Sequence, residues 1–387
     1  MSTPYGSYRQ RLFEPGQRPF VEPQRLETAA RAELSAEVYN FVAGAAGTGR
    51  TARSNLEAFD AWRLIPRVLR DIDDRNLGIT LFEQPLPTPL LLAPIGAQAI
   101  VHPDGETATA RAALATGVPI VLSASSSVDI ETVAAANGHG VRWFQLYRSN
   151  DDEHTVSVLR RAREAGYSVL VVTVDNPIIG WRPLDLEAGY SPFVRGLGMQ
   201  VYFSDPVFRS RLSAVPENDP DAAIAHWHHI FDGRNHGWEG LSFLREHWDG
   251  PIVLKGIQHP DDALLALEHG ADGLVVSNHG GRQVDGAVAS LDALPAVADV
   301  VAGQAPVLFD SGVRTGTDIV KALALGADAV LVGRPYVWGL ACAGEAGVEH
   351  VIRALLAELD ITLALVGRRS VASLDRGLLR RDGQGVS

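Results

Sequence analysis

The residues with the clearest potential for chemistry lie in the segment Ser277–Gly286, SNHGGRQVDG. The segment follows the apolar run Gly273–Val276, so we expect a buried strand to end at Ser277 and a glycine-rich loop to present His279 and Arg282. An arginine can hold an anion, and a histidine can move a proton beside it. Taken alone, the pair fits an ordinary loop histidine and a surface charge equally well. The surrounding elements have to decide between these interpretations.

Eight short apolar runs recur along the chain, and almost every one is followed by a polar or glycine turn and an alanine-rich helical segment. Strands and helices that alternate eight times predict a (β/α)8 TIM barrel with parallel strands, in the α/β class. Runs that are continuously apolar agree with strands buried on both faces. The runs are Pro89–Ile95, Val118–Leu122, Arg142–Leu146, Ser168–Val174, Pro251–Leu254, Gly273–Val276, Pro306–Phe309 and Ala329–Val332.

The whole chain, residues 1–387, is expected to form a single domain. Residues 1–25 are expected to be an extended arm, and a helix is predicted from Leu26 to Phe41. The interval 176–248 between the fourth and fifth strands is longer than a loop and a helix require, so we interpret it as an insertion that forms a lid or an oligomer contact. The larger segments are an N-terminal arm with helices, the barrel, and a C-terminal helix with a tail, at residues 1–85, 86–340 and 341–387.

The composition limits the classes of partner. A net charge of -12 at pH 7 argues against binding of nucleic acid or an anionic membrane surface, so an anionic ligand needs a local cluster of arginines. The single cysteine, Cys342, excludes an internal disulfide and suits a reducing cytoplasm. No apolar run of about 18 residues and no signal peptide are found, so a cytoplasmic location is expected. No metal site is predicted, because no carboxylate clusters at ligand spacing with the histidines of the HWHH run, His226, His228 and His229.

Chemistry in such a barrel lies at the C-terminal ends of the strands. Polar side chains at seven of these eight ends are hard to attribute to solubility alone. After the first run come Pro94, Ile95 and Gly96. The polar residues after the other runs are Ser123, Gln145, Tyr147, Thr173, Asp175, Arg182, Lys255, Ser277, His279, Arg282, Asp310, Arg314 and Arg334.

The last two loops, FDSGVRTGTD and GRPYVWG, each combine a glycine with an arginine before a helix. Exposed backbone N–H groups and an arginine form a phosphate cradle, and barrels often place one after strands seven and eight. Ordinary tight turns are the alternative. Side chains between such a phosphate and His279 suit a planar heterocycle, and Lys255 would supply positive charge for its reduced form.

Five segments carry a resemblance to a known family: SNHGGRQVDG, LKGIQHPDDA, FDSGVRTGTDIVKALALGADAVLVGRPYVWG, FQLY and TVDNP. They closely resemble the FMN-dependent 2-hydroxyacid oxidases and dehydrogenases over about residues 35 to 366. Among the branches of that family, lactate 2-monooxygenase is the most similar, on the segments APIG, GWRPLDL, FVRGL and DPVF and on the long insertion.

The resemblance implies a role for each matching residue. His279 matches the active-site base, and Asp175 matches the carboxylate that orients it and stabilises its protonated form. Arg182 and Arg282 match the pair that binds the substrate carboxylate, with the Tyr147 hydroxyl beside them. The implied FMN contacts are Pro94, Ile95, Gly96, Ser123, Gln145, Thr173, Lys255 and Ser277 around the ring, and Asp310, Gly312, Arg314, Gly333 and Arg334 at the ribityl chain and phosphate.

The implied reaction is FMN-dependent oxidation of a 2-hydroxy acid to a 2-oxo acid, with dioxygen as acceptor. If the 2-oxo acid stays bound, peroxide decarboxylates it, which is the lactate 2-monooxygenase outcome. The family also tends towards tetramers, which implies a homo-oligomer.

Two departures from the family pattern bear on the substrate site. Phe41 stands where the family usually has a tyrosine, and LSASSSV after the second strand is about two residues shorter. They favour, as alternatives, an oxidase or a dehydrogenase for a bulkier aryl acid, or a flavin-binding barrel that does not oxidise.

Overall fold

Eight parallel strands close into a barrel in a computed structural model that describes residues 20–232 and 236–382. Each barrel strand pairs with the next barrel strand along the chain, and the last of them, Ala329–Val332, closes onto the first, Leu90–Leu92. All eight predicted apolar runs contribute one barrel strand each, and the predicted (β/α)8 fold is confirmed. The strands of the described chain are β1 (Trp62–Leu64), β2 (Ile79–Leu81), β3 (Gln84–Leu86), β4 (Leu90–Leu92), β5 (Ile120–Ser123), β6 (Arg142–Leu146), β7 (Leu170–Thr173), β8 (Ile252–Ile257), β9 (Gly273–Val276), β10 (Val307–Phe309), β11 (Ala329–Val332) and β12 (Leu379–Arg381).

Helices surround the barrel, and those of the insertion lie near its entrance. Those of the described residues are α1 (Pro23–Glu33), α2 (Ala36–Ala43), α3 (Arg50–Asp60), α4 (Gly105–Thr116), α5 (Ile130–Asn137), α6 (Asp152–Glu164), α7 (Pro183–Ala188), α8 (Gln200–Phe203), α9 (Pro206–Ser210), α10 (Pro220–Phe231), α11 (Glu239–His247), α12 (Pro260–Glu268), α13 (Ser290–Val301), α14 (Gly316–Ala324) and α15 (Arg334–Leu365). None of these helices is long and apolar enough to cross a membrane.

Alternate strand residues belong to two separate hydrophobic clusters, which explains the continuous apolar runs. Leu91, Val171 and Val275 belong to the smaller cluster, which fills the barrel interior. Leu90 and Leu92 belong to the larger cluster between the strands and the surrounding helices. Strands buried on both faces leave polar side chains only at their ends, so the polar residues collect at the barrel entrance.

Two N-terminal expectations were wrong in detail. The predicted helix from Leu26 to Phe41 is two helices, because Leu34 is extended and the Ser35 hydroxyl accepts from the backbone N–H of Val38 as a new N-cap. The expected extended arm also ends early, since α1 begins at Pro23; residues 1–19 lie outside the described part. The sequence did not indicate the break at Ser35, because the helical spacing of apolar residues continues from α1 into α2.

The last helix turns sharply on itself, a feature that no sequence pattern predicted. Helical geometry in α15 is interrupted at Ala343 and Gly344, where Gly344 has a φ of 56°. The two halves then pack so tightly that a Cβ on Gly347 would collide with the carbonyl oxygen of Gly339. Further along the chain, β12 pairs antiparallel with β1.

We expect Gly347→Ala to lower the free energy of unfolding by about 1–3 kcal/mol or more, because an extra methyl at a packed backbone contact forces the two half-helices apart. Urea unfolding of the FMN-loaded protein measures this change. Ala346→Ser, at the exposed neighbouring position, should stay within about 0.5 kcal/mol of the wild type. Equal stability of the two variants would show that the corner has room to relax.

The long interval between β7 and β8 is helical and carries α7 to α11. A buried ion-pair network fixes it to the barrel helices. Arg161 of α6 donates to Glu131 at 2.8 Å, to the carbonyl of Val201 at 2.9 Å and to Asp205 at 3.3 Å. Asp205 is completely buried and also accepts from Ser157. Removal of one partner of this network would leave a buried charge unpaired, so we expect it to keep the insertion in contact with α5 and α6.

Candidate functional site

A cavity of about 690 Å³ opens at the C-terminal ends of the barrel strands. Barrel loops form one wall, and the insertion forms the opposite wall with residues of α10. The cavity brings together most of the residues singled out in the sequence. Those that line it are Phe41, Pro94, Ile95, Gly96, Ser123, Tyr147, Arg182, Lys255, His279, Arg282, Asp310, Gly312, Arg314, Gly333 and Arg334.

The remaining four predicted site residues, Gln145, Thr173, Asp175 and Ser277, are not part of the lining but lie directly behind it. Gln145 accepts from the Ser123 hydroxyl at 3.0 Å, and Ser277 accepts from the Lys255 ammonium at 2.9 Å. Thr173 ends β7 in register with Lys255. These residues therefore support the side chains that face the cavity.

His279 and Asp175 form a hydrogen-bonded pair. His279 Nδ1 and Asp175 Oδ1 are 2.9 Å apart. A carboxylate only accepts, so Nδ1 carries the proton and Nε2 is left to accept one. His279 itself has a left-handed backbone, with φ of 58°, fixed by its N–H donating to the Ser277 hydroxyl. Gly256, with φ of 117°, leaves the space that Asp175 occupies, because a Cβ there would lie 2.5 Å from Asp175 Cβ.

The electrostatics of the pair favour an uncharged His279, which is the form that can act as a base. Burial lowers the pKa of His279 below its ordinary 6.5, while Asp175 acts in the opposite direction and Lys255 and Arg182 add to the lowering. Burial raises the pKa of Asp175, but the charge and hydrogen bond of His279 outweigh it and hold this pKa below its ordinary value. At neutral pH the site therefore holds an uncharged imidazole against an ionised carboxylate.

Arg182 and Arg282 bring two guanidinium groups to the same side of the cavity. Arg282 Nη1 donates to the carbonyls of Phe41 at 2.7 Å and Gly44 at 2.8 Å, while its Nε and Nη2 donate to no residue in the described ranges. Burial lowers the pKa of Arg282 well below its ordinary value, and the nearby Arg182 and Arg334 lower it further. An anion in the cavity would relieve this repulsion, so the pair can bind a carboxylate.

Arg334 and Arg314 form a second basic region of the lining. Burial and the neighbouring Arg314 lower the pKa of Arg334 to about 10. Arg334 donates to the carbonyls of Val42, Gly280 and Gly44, between 2.9 and 3.1 Å. Together with Arg282 it therefore holds the C-terminal end of α2, where helix carbonyls attract cations.

At the end of the loop that leads into α14, several backbone N–H groups have partners within the protein. The N–H groups of Gly316 and Thr317 donate to Glu358, and Thr315 and Asp318 form a capping box. These amides are therefore not available to an anion. Gly312 and Val313, earlier in the loop, line the cavity, and the phosphate cradle stays a prediction. Gly312 also has another explanation, since a Cβ there would collide with the carbonyl oxygen of Asn55 in α3.

Lys255 stays charged at the centre of the site. Its Nζ lies 3.0 Å from Asp310 Oδ2, and the residue is only 4% exposed. Burial lowers the pKa of Lys255, but Asp310 and Asp175 outweigh it and raise this pKa above its ordinary value. A fixed cation beside His279 can stabilise negative charge that develops on a ligand.

Phe41 belongs to an aromatic wall that the insertion completes. Its ring makes edge contacts with the rings of Tyr190 and Phe193, with ring centroids 6.2 Å and 6.1 Å apart. The Phe193 ring stacks on Trp227 with centroids 5.8 Å apart. The nearby Tyr39 does not substitute for the missing hydroxyl: it donates to Glu27 at 3.0 Å and is absent from the cavity lining. The rings of Phe41, Phe193 and Trp227 therefore give the cavity lining an aromatic surface.

Gly96 is explained by packing within the protein. A Cβ at this position would lie 2.7 Å from both Cβ and the carbonyl oxygen of Ser125. The loops after β4 and β5 approach each other too closely there for a side chain. The glycine is therefore required by the fold itself, whatever it also does for a bound ring.

Sequence reasoning missed three residues that hold the loops of the site together. Glu106, completely buried, accepts from the backbone N–H groups of Gln98 and Ser127, both at 3.0 Å, and burial raises its pKa. Asp285 and Gln283 continue the loop of His279. For Gln283 and Asp285 the only available signal was an amide or a charged side chain within the segment Ser277–Gly286, since their partners are distant in sequence.

Asp285 fixes the glycine-rich turn before α3. It accepts from the backbone N–H groups of Thr48 and Arg50, both at 2.7 Å, and the hydrogen bond of Thr48 is the main cause that lowers the pKa of Asp285 to about 2. Gly47 packs against this carboxylate, because a Cβ on Gly47 would lie only 2.5 Å from Asp285 Oδ2. The segment that carries Phe41 is thereby tied to the loop that carries His279.

The HWHH run lies on α10, with His228 and His229 exposed at the edge of the cavity. Among the residues the structure describes, no group of three or more His, Cys, Asp or Glu side chains is arranged to hold a metal ion.

Comparison with known proteins identifies the family. The sequence profile described as FMN-dependent dehydrogenase matches residues 30–381. The FMN-dependent alpha-hydroxy acid dehydrogenase qulF of Penicillium citrinum is 50% identical over 97% of this chain and 96% of its own. The L-lactate oxidase of Lysinibacillus sphaericus (strain C3-41) is 40% identical over 93% of each chain. A mandelate oxidase solved with benzoyl-formic acid has a TM-score of 0.83 at 37% identity, covering 95% of this chain and 100% of that one. The chain therefore belongs to the FMN-dependent dehydrogenase family and is an FMN-dependent 2-hydroxyacid oxidoreductase.

Proposed function

We propose that the protein oxidises a 2-hydroxy acid with a large apolar side chain to the 2-oxo acid and uses dioxygen as the electron acceptor. The observation that carries the proposal is the aromatic wall of Phe41, Phe193 and Trp227, which shares the cavity with the pair His279 and Arg282. The cavity thus combines groups that suit a carboxylate and a proton transfer with aromatic surface that suits an apolar group.

Arg182 and Arg282 bind the substrate carboxylate in this proposal. Arg282 lines the cavity, and its Nε and Nη2 donate to no residue in the described ranges while Nη1 anchors the end of α2. Its guanidinium carbon lies 5.3 Å from the centroid of the Phe41 ring. Tyr147 lines the same space, and its hydroxyl contributes the third contact. A carboxylate held between two buried guanidinium groups fixes the position of C2 of the substrate.

His279 is the general base. Its Nε2 takes a proton from C2 or from the 2-hydroxyl group, and Asp175 stabilises the imidazolium that forms. FMN, when bound, supplies the two-electron acceptor for this oxidation. Lys255, close to Ser277 and Asp310, supplies positive charge at the centre of the site.

The residues in and directly behind the lining fit FMN. Gln145 Nε2 is buried and has no hydrogen-bond partner among the described residues, so an amide donor is available for a ring carbonyl or nitrogen. The lowered pKa of Arg334, caused by burial and by Arg314, marks a place that gains from an anion such as a phosphate. The ring contacts would come from Pro94, Ile95, Gly96, Ser123, Gln145, Thr173, Lys255 and Ser277, and those of the ribityl phosphate from Asp310, Gly312, Arg314, Gly333 and Arg334.

A pH dependence follows from the pair of His279 and Asp175. We expect Asp175→Asn to lower the pKa of His279 further, because the carboxylate is what opposes the effect of burial. Histidine acts as a base only when neutral, so the acidic limb of kcat/KM against pH should move to lower pH. The plateau should fall by about 10–100-fold, because the imidazolium loses its partner. Asp129→Asn, at the N-cap of α5, should leave both the limb and the plateau in place; an unmoved limb in Asp175→Asn would contradict the assignment.

A second candidate is lactate oxidation with decarboxylation of the bound product, as in lactate 2-monooxygenase. The insertion favours it, because α10 contributes Trp227 and Phe231 to the cavity lining and so covers the site from above. A lid of this kind, residues 176–248, would retain the 2-oxo acid while dioxygen reacts. A dehydrogenase with another acceptor would share the first half of the reaction.

Anaerobic flavin reduction tests the proposal. The FMN-loaded protein is mixed with (S)-mandelate or with L-lactate without oxygen, and the visible absorption band of the flavin is followed. Bleaching that is faster and tighter with mandelate supports a large apolar side chain. Bleaching by lactate alone favours the second candidate, and no bleaching by either acid contradicts both substrates.

Aerobic turnover then tests the acceptor. Oxygen uptake with accumulation of 2-oxo acid and peroxide supports the oxidase. Uptake with carbon dioxide and a shortened acid supports coupled decarboxylation. Flavin that is bleached anaerobically but does not consume oxygen in air overturns dioxygen as the acceptor.

A further inference from the structure

Gln283 joins the loop of His279 to the start of the insertion. It is half-buried, three residues after Gly280, and faces the segment 175–182 that leaves β7. That segment carries Asp175 at one end and Arg182 at the other. One amide side chain therefore lies between the two groups that complete the site.

Both ends of this amide are engaged. Gln283 Nε2 donates to the carbonyl oxygens of Asp175 and Ile178, both at 2.9 Å, and lies 3.2 Å from Asn176 Oδ1. Gln283 Oε1 accepts from the N–H of Gly180 and from Arg182 Nη2, both at 3.2 Å. If the amide were reversed, its NH2 group would face the N–H of Gly180 and its oxygen would face the carbonyl oxygens of Asp175 and Ile178. Only the observed orientation therefore forms these hydrogen bonds.

The backbone of the segment is shaped to this contact. A Cβ on Gly180 would lie 2.5 Å from the carbonyl oxygen of Arg282 and 2.8 Å from Cα of Gln283. Arg182 Nε donates to the same Arg282 carbonyl at 3.2 Å, and Gly47 donates to the carbonyl of Trp181 at 2.8 Å. The segment therefore runs directly along the loop that carries His279.

Apolar burial does little to hold the segment in place. Ile178 is 74% exposed, Ile179 is 61% exposed and Trp181 is 72% exposed. Side chains this exposed contribute little of the stabilisation that comes from removing apolar surface from water. Polar contacts have to supply the rest, and the contacts of Gln283 span the segment from Asp175 to Arg182.

We propose that Gln283 is a positioning residue: its Nε2 end holds Asp175 against His279, and its Oε1 end holds Arg182 in the carboxylate site. The proposal rests on the proposed function, which makes His279 the base and Arg182 a carboxylate ligand. The two ends then control different kinetic quantities. The Nε2 end affects kcat through the base, and the Oε1 end affects KM through substrate binding.

Two substitutions separate the ends. Gln283→Glu keeps an acceptor for Gly180 and Arg182 but places a carboxylate against the oxygens of Asp175, Asn176 and Ile178. We expect kcat to fall by about 10–100-fold with KM within about threefold of the wild type, since each lost hydrogen bond is worth about a few-fold to tenfold. Gln283→Met removes both ends, so kcat should fall similarly and KM should rise about tenfold.

A pH profile distinguishes positioning from a loss of general stability. In Gln283→Met, Asp175 is less firmly held and raises the pKa of His279 less, so the acidic limb of kcat/KM should move to lower pH. Gln258→Met is the matched control, since Gln258 lies just after β8 and its Nε2 donates to the Val288 carbonyl at 3.0 Å, away from the segment. Its kinetics and pH profile should equal those of the wild type.

Three results would overturn the proposal: wild-type kcat and KM in Gln283→Met, the same loss of both quantities in both variants, or an unmoved acidic limb. If Gln283→Met fails to fold or to retain FMN, the separation of kcat from KM in Gln283→Glu decides alone. If the wild type oxidises no 2-hydroxy acid, the proposed function fails, and the imidazole pKa of His279 in the FMN-loaded variants, followed by NMR, still tests the positioning. Equal values in the wild type and both variants would then refute it.

Discussion

Replacing His279 by glutamine is expected to lower the anaerobic rate of flavin reduction by about a thousandfold, within the 10²–10⁴ range typical of general acid–base catalysis. Glutamine can still donate a hydrogen bond towards Asp175, but it has no basic nitrogen to take the substrate proton. The FMN site should remain intact, because the loop is also held by Gly280, whose N–H donates to the Ser311 hydroxyl at 3.0 Å. Stopped-flow absorbance at saturating substrate measures the rate.

The control for this substitution is another histidine of the same chain. His259→Gln changes an exposed residue that caps α12, so its reduction rate should match the wild type. A His279→Gln rate within tenfold of the wild type, with FMN bound, would remove His279 from the role of base. The base would then have to be sought among the other polar residues of the lining.

The barrel was predictable from the sequence because its strands are buried on both faces. That burial demands continuous apolar runs such as Gly273–Val276, and it confines polar residues to the strand ends. Because parallel strands in a closed barrel all point the same way, polar residues that are distant in sequence meet at one entrance. The sequence pattern therefore suffices to place His279 and Lys255 in one site.

The supporting contacts could not be predicted in the same way, because they depend on distances between segments that are remote in the chain. Gln283 meets the segment after β7, about a hundred residues earlier. Glu358 of α15 accepts from the backbone N–H of Gly316 at the start of α14, another contact between segments that are distant in the chain. The need for glycine at position 96 likewise comes from Ser125 on another loop.

Arg282 shows how structural and binding roles can share one side chain. Its Nη1 donates to the carbonyls of Phe41 and Gly44, its Nε and Nη2 donate to no residue in the described ranges, and the residue lines the cavity. The pKa of Arg282, lowered by burial and by Arg182 and Arg334, means that the charge is held at a cost when no anion is bound. A bound carboxylate would then stabilise both the charge and the end of α2.

The second large effect is therefore expected for Arg282→Met. Removal of one partner from a buried, hydrogen-bonded charge pair costs about 2–5 kcal/mol, so kcat/KM should fall by roughly 10²–10³-fold, mostly through KM. Arg282→Lys should recover only part of this loss. A planar guanidinium can bind a carboxylate and two backbone carbonyls at the same time, whereas a single ammonium group cannot. Initial rates over a range of acid concentrations separate the two quantities.

Arg195→Met is the matched control, since this exposed arginine lies over the Tyr190 ring at 4.8 Å and is not among the residues that line the cavity. Its kcat/KM should stay close to the wild type. The thermal unfolding temperature of Arg282→Met should also fall, because the carbonyls of Phe41 and Gly44 lose their donor. A variant with lowered stability and normal KM would assign Arg282 to holding α2 alone, and Arg182 would then be the main ligand of the substrate carboxylate.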